Sequence, residues 1–257
     1  MGLRPLEEAQ WFEVDERRSE ELELKRTLLE THRDVVVATT DAGNAPSEEL
    51  LDATLENLAN FHPNLARDRR TGEHSIVQAS LLVQEDLCVL VRDDQWRLAA
   101  ACVCFPSRWK LAEKIGTSLD AIHAPVPGYE EDLASPTHAF FDRLSPERSF
   151  WRLNWTLLDD LALHQPFRRD TPLGSRAEWY FRVERQTLRK LPETGAIVFT
   201  IRTYVTSLEE MKRRDPYFVN SLLVSLESAP PATTAYKGWL GVADTLRDAL
   251  DEESRNV

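Results

Sequence analysis

The sequence predicts an α+β fold: a five-stranded antiparallel sheet with helices over one face and additional helices toward the N- and C-terminal ends. Three observations carry that expectation. Five stretches read as strands, and a long helical and Pro-rich stretch separates the first two from the last three. The flanking segments carry leucines at helical spacing. With 257 residues, 42% of them hydrophobic and 29% charged, the chain can bury one sizeable core.

Taken in order, Ser19 to Thr31 reads as a surface helix, with Leu22, Leu28 and Leu29 set among charges. Asp34-Val35-Val36-Val37-Ala38 is strand-like, and Gly43-Asn44 is turn chemistry. A second helix follows from about Ser47 on a stripe of Leu51, Leu55 and Leu58. Leu87, Val89 and Val91 alternate with Cys88, Leu90 and Arg92, as in a half-buried strand. Asp93-Asp94-Gln95 turns the chain, and Trp96 to Phe105 returns as the second strand. Ser107 is placed to cap a short helix carrying Leu111 and Ile115, with Gly116 at its stop.

After irregular segments running to about Ser145, Phe150 to Leu158 alternates Trp151, Leu153, Trp155 and Leu157 with Arg152, Asn154 and Thr156. Glu178 to Leu188 sets Trp179, Phe181 and Val183 on one face. Ala196 to Val205 sets Ile197, Phe199 and Ile201 against Arg202 and Tyr204. Ser207-Leu208-Glu209-Glu210 is a capping box. Asp215-Pro216 opens a helix carrying Leu222, Leu223 and Leu226, and Pro230-Pro231 ends it. A last helix shows Trp239, Val242, Leu246 and Leu250. Two strands, a helical connection and three strands is the order of a PAS domain. The expectation is a PAS-like core of about 80–206 within a single domain spanning 1–257.

A net charge of −12 repels polyanions and disfavours nucleic acid and anionic membrane as partners. No apolar run approaches the roughly 20 residues of a membrane span, and the N-terminus lacks a secretory signal. Three cysteines, Cys88, Cys102 and Cys104, suit a reducing compartment and read as core residues. A cytoplasmic location is expected. With 9 glycines there is no G-x-G-x-x-G and no P-loop.

The chemistry concentrates between Phe105 and Tyr129. Ala99-Ala100-Ala101-Cys102 puts small side chains on both sheet faces, which fits either close helix-on-sheet packing or a cavity floor kept clear for a flat ligand. Pro125 and Pro127 stiffen the segment after His123. His32, His62, His74, His138 and His164 are scattered without a ligand spacing. Arg185 interrupts an apolar strand face, either as a snorkelling edge residue or as an anion clamp. Glu184 points to the opposite face if the strand is regular, and a bulge would reverse that.

Several phrases then carry a resemblance: Phe105-Pro106-Ser107-Arg108-Trp109, Ile122-His123-Ala124-Pro125-Val126-Pro127-Gly128-Tyr129, Arg152-Leu153-Asn154-Trp155, Arg182-Val183-Glu184-Arg185-Gln186 and Phe199-Thr200-Ile201-Arg202-Thr203-Tyr204. Together with Met1-Gly2-Leu3-Arg4-Pro5-Leu6, they resemble the haem-dependent oxidative N-demethylase family, whose core is PAS-like. The resemblance implies haem b in the space left by the alanines, with His123 as axial ligand to the iron. Arg108, Arg185 and Arg202 become partners of the haem propionates, and Trp109 and Tyr129 further haem contacts. Glu184 becomes the carboxylate holding a cationic amine, although the strand-face argument points it away from Arg185.

The implied activity is O2-dependent demethylation of a small alkylamine such as dimethylamine, releasing formaldehyde. NADPH would serve only through a separate reductase, docked near Arg108 and Lys110. The competing class is a haem-binding PAS-like sensor or gas-binding protein without turnover, and a third is a scaffold subunit that has lost haem.

Overall fold

The computed structural model describes residues 2–65, 72–167 and 178–255. Its centre is an antiparallel sheet of seven strands: β1 (Arg4–Leu6), β2 (Val37–Thr39), β3 (Asp86–Arg92), β4 (Trp96–Cys102), β5 (Ser149–Leu158), β6 (Tyr180–Lys190) and β7 (Ile197–Ser207). Their spatial order is β1-β5-β6-β7-β3-β4-β2. The five strands expected from alternation are all present and adjacent. The five-stranded expectation is corrected to seven, because a three-residue strand has been added at each edge. Three residues are too few for a period of two to register.

Ten helices are found among the described residues: α1 (Arg18–Thr31), α2 (Arg33–Val36), α3 (Asn44–Phe61), α4 (Ser75–Ser80), α5 (Leu119–His123), α6 (Ala134–Arg143), α7 (Leu208–Arg214), α8 (Phe218–Glu227), α9 (Pro231–Lys237) and α10 (Val242–Arg255). The strand expected over Asp34–Ala38 is half replaced by the single turn α2, which buries Val36. Only Val37–Thr39 pair with Cys102–Ala100. Ser207 caps α7, its Oγ accepting the Glu210 amide at 3.2 Å. Ser107 caps nothing: it bridges to Gln165, and the expected helix shrinks to a single 3-10 turn at Leu111–Glu113. Gly116 supplies the stop in the left-handed region at φ 72. Leu250 lies outside the side chains described.

Strand register divides the side chains between two faces. On one, Leu87, Val89, Ala100, Cys102 and Val198 pack with Leu28 and Leu29 of α1, Leu50, Leu51 and Leu58 of α3, and Ile76 and Val77 of α4. On the other, Cys88, Leu98, Ala101, Leu188, Ile197 and Phe199 meet the crossing between β4 and β5 through Leu111, Leu119, Ile122, Phe141 and Leu144. Helices therefore cover both faces, not one. The reason is in β3 and β4, where both alternation classes are apolar, so each face requires burial. Val219, Leu222, Leu226, Trp239 and Val242 of the C-terminal helical segment close over Leu157 and Trp179. Among the described residues no helix is long and apolar enough to cross a membrane.

The alanine run is also settled by packing. A Cβ on Gly43 would lie 2.5 Å from the Ala99 carbonyl oxygen and 2.7 Å from the Ala100 Cβ. The start of α3 thus presses directly onto β4 on the first face. On the second face Ala101 is sealed under Leu98, Val103 and Leu111. The small side chains permit close approach of protein, and the cavity expected above them is filled.

Candidate functional site

Ser118 opens α5 by accepting the Ala121 amide at 3.2 Å. Leu119 and Ile122 anchor the helix to the second sheet face, Leu119 in the cluster of Leu90, Trp96 and Leu188 and Ile122 packed on the cluster of Leu98 and Ala101. His123 falls four residues after Leu119, on the same side of the turn. Its Nδ1 lies 2.8 Å from the Leu119 carbonyl oxygen. A carbonyl can only accept, so Nδ1 carries the proton and Nε2 keeps its lone pair. Nε2 makes no hydrogen bond among the described residues.

Burial depresses the basicity of His123. Arg152 and Lys114 act in the same direction, opposed by the Leu119 carbonyl and by Asp120. The imidazole is therefore neutral at neutral pH.

The stiff segment after His123 returns Tyr129 to it. The Val126 amide donates to the His123 carbonyl at 2.8 Å, and Gly128 takes φ 72, a conformation that glycine adopts freely. The Tyr129 ring stacks on the imidazole at 4.9 Å and 15°. Its hydroxyl donates to Asp120 Oδ1 at 3.1 Å, and His138 Nε2 reaches the same oxygen at 2.8 Å. Burial and Asp120 hold the Tyr129 phenol well above its ordinary range. Trp109 packs in the cluster that holds Ile122.

Beside His123 the sheet presents polar residues. Arg152 of β5 donates Nε to Gln186 Oε1 at 2.8 Å, and its terminal nitrogens have no partner among the described residues. Glu184 of β6 accepts from Arg182 Nε at 3.2 Å, Asn154 Nδ2 at 3.3 Å and Gln186 Nε2 at 3.0 Å. From α9, Lys237 donates to the Trp155 carbonyl at 2.6 Å. Burial lowers the pKa of Lys237, with Glu184 favouring and Arg152 disfavouring its charge. His123 and Lys237 both feel the Arg152 charge, and Arg152 and Lys237 both feel Glu184, so the four form one electrostatic neighbourhood.

Three residues singled out from the sequence stand elsewhere. Arg185 and Arg202 occupy the first sheet face, in register with each other and opposite to Glu184. Arg185 pairs with Glu13 at 3.2 Å and donates to the Gln10 carbonyl. Arg202 is wholly buried between Asp15 at 2.6 Å and Glu21 at 2.7 Å. Arg108 adopts φ 60, rare for a residue other than glycine, and pairs with buried Asp159. All three guanidinium groups have carboxylate partners: Asp159 for Arg108, Glu13 for Arg185, and Asp15 with Glu21 for Arg202. Arg152, by contrast, is held by Gln186 through Nε alone among the described residues. Its motif, Arg152-Leu153-Asn154-Trp155, is visible in the sequence, but a half-polar strand does not single out an arginine as an apolar strand does.

A family model described as haem-dependent oxidative N-demethylase, alpha subunit-like, matches residues 2–247. The chain belongs to this family. The N-demethylase family is haem-dependent and its reaction is an oxidation, and the alpha-subunit description implies a multi-subunit enzyme. In this family member no three His, Cys, Asp or Glu side chains cluster to hold a metal among the described residues. A single available imidazole nitrogen beside an open guanidinium suits a metal that brings its other ligands in a carboxylate-bearing macrocycle.

Proposed function

We propose that this chain binds haem b through His123 and acts as a monooxygenase, demethylating a small alkylamine such as dimethylamine with O2. One methyl carbon leaves as formaldehyde, with one oxygen atom in the aldehyde and the other in water. The two electrons come from NADPH through a separate reductase, and the setting is cytoplasmic. The observation that carries this reading is His123: neutral, fixed by its Nδ1–H, and with Nε2 unengaged on a sheet face beside Arg152.

When bound, haem supplies the oxygen chemistry, and the chain supplies binding and orientation. The Leu119 carbonyl fixes the imidazole tautomer, a partner that also raises ligand basicity. Tyr129, tethered to Asp120, holds the ring plane. Arg152, with Lys114 and Lys237 nearby, offers positive charge to carboxylates, which takes over the propionate role first expected of Arg108, Arg185 and Arg202. Trp109 and Ile122 give the apolar wall. Glu184 stands on the same face. Three donors fill most of its roughly four acceptor positions, leaving about one toward a cationic amine.

The test is spectral and chemical. The haem-loaded chain is expected to show a Soret band that His123→Ala abolishes while circular dichroism stays unchanged. Dimethylamine, O2 and a reductase should then yield formaldehyde. An unchanged band in the variant removes His123 from the site. A normal band with no formaldehyde from any alkylamine replaces the enzyme reading with a haem-binding sensor.

A further inference from the structure

A groove of about 470 Å³ lies between α6 and the start of β5, lined by Pro136, Phe140, Arg143, Leu144, Arg148 and Phe150 together with Ser145. That volume is within the range of small-molecule sites. Phe140 and Phe150 meet edge to face at 5.3 Å and 74°, and both are half-buried, so each keeps ring surface on the groove. Pro136 and Leu144 extend the apolar wall.

The groove's charge is unusual for this molecule. The chain has 43 acidic and 31 basic residues, and most of its arginines sit against carboxylates. Arg143 and Arg148 do not, among the described residues. Arg143 Nε donates to the Ala139 carbonyl of its own helix at 2.8 Å, leaving the terminal nitrogens unengaged. The Arg148 guanidinium lies 5.5 Å from the Phe150 ring centroid. The acids nearest in sequence are otherwise occupied: Asp142 takes Arg92 and the Trp96 indole, and Glu147 takes Ser145. Two guanidinium groups line one groove beside aromatic rings, neither in an ion pair among the described residues, with the Glu147 carboxylate held at the rim by Ser145.

We propose that this groove is a binding site for a flat aromatic ring carrying a phosphate, the chemistry of a nucleoside or flavin mononucleotide. The phosphate lies between the two guanidinium groups, where planar bidentate hydrogen bonds are strongest. The ring covers Phe140 and Phe150. The groove is distinct from the His123 neighbourhood but adjoins it: Phe150 and Arg152 share a strand and a face, about 7 Å apart along β5.

Calorimetric titration of the full-length chain with FMN, AMP and inorganic phosphate tests the site. FMN or AMP is expected to bind at least tenfold more tightly than phosphate. Arg143→Gln with Arg148→Gln should weaken binding at least tenfold, and Phe140→Leu should weaken it for the ring-bearing ligands alone. Binding should survive His123→Ala, which separates this site from the haem reading. No binding at millimolar ligand, equal affinity for phosphate, or affinity unmoved by the double variant would each overturn the proposal.

Discussion

Arg152 and Arg202 belong to the same sheet and differ in the face on which they stand. Removing Arg202 leaves Asp15 and Glu21 facing each other without their shared cation, Glu21 deeply buried. Arg202→Leu is therefore expected to cost about 3–5 kcal/mol in urea unfolding of the haem-free chain. Arg152→Leu removes a half-buried side chain whose terminal nitrogens are unengaged, and should change that stability by about 1 kcal/mol or less. The order should reverse for haem: Arg152→Leu lowers retention on dialysis several-fold more than Arg202→Leu does. Equal haem loss in both variants would place the propionate contacts elsewhere. Alternation in the sequence already separated these two arginines from their strand neighbours. It could not say which face the crossing segment would cover, because that depends on Leu119 and Ile122 joining the clusters that hold Leu188 and Ala101 across the fold.

At the scale of elements, the long alternating strands were legible because each has enough residues to repeat its pattern. The edge strand β1 and the turn α2 were not, and β2 was legible only in part through Val37 and Ala38, since their form comes from pairing with β5 and β4 rather than from local preference. The start of α3 shows the same limit. Gly43-Asn44 reads as a turn, yet Gly43 has φ −85 and needs no special backbone freedom. What it needs is the absence of a side chain against Ala99 and Ala100. Gly43→Ala is expected to destabilise by about 1–3 kcal/mol through overpacking, read from the urea midpoint. A neutral result would mean that α3 can retreat from β4 without loss. The alanine run and Gly43 thus form one packing device, recognisable only when the two segments are seen together.

Across the molecule, the N-terminal segment is tied to the first sheet face by buried charge. Lys25 donates to the carbonyls of Val83 and Glu85 at 3.1 and 2.5 Å, and Asp86 receives the amides of Cys104 and Phe105, each at 2.8 Å. Glu85 is wholly buried, with Oε1 accepting the Glu13 amide at 2.8 Å and Oε2 unpartnered. Burial lifts its pKa from 4.5 to about 7, against the Glu13 amide, Arg202 and Lys25. Between those values the folded chain holds a proton that the unfolded chain has released. The contribution of Glu85 is thus fully present below pH 4.5 and is lost as pH rises through about 7. Unfolding free energy measured from pH 5 to 8 should fall for this reason by about 2–3 kcal/mol, and Glu85→Gln should flatten the slope. An equal slope in the variant would assign the pH dependence to other groups.

The bond from Lys237 to the Trp155 carbonyl reaches past the His123 neighbourhood. β1 pairs with β5 only over Ser149–Trp151, and among the described residues no other strand pairs with the outer side of β5 beyond that point. Leu153 is 58% exposed there, on a sheet margin that pairs with no further strand among the described residues. Such a margin invites a strand from another molecule, and an ammonium seated on its carbonyl is a physical obstacle to that docking. Replacing Lys237 with Ala is therefore expected to raise concentration-dependent aggregation, read by light scattering, as well as to remove positive charge from the candidate site.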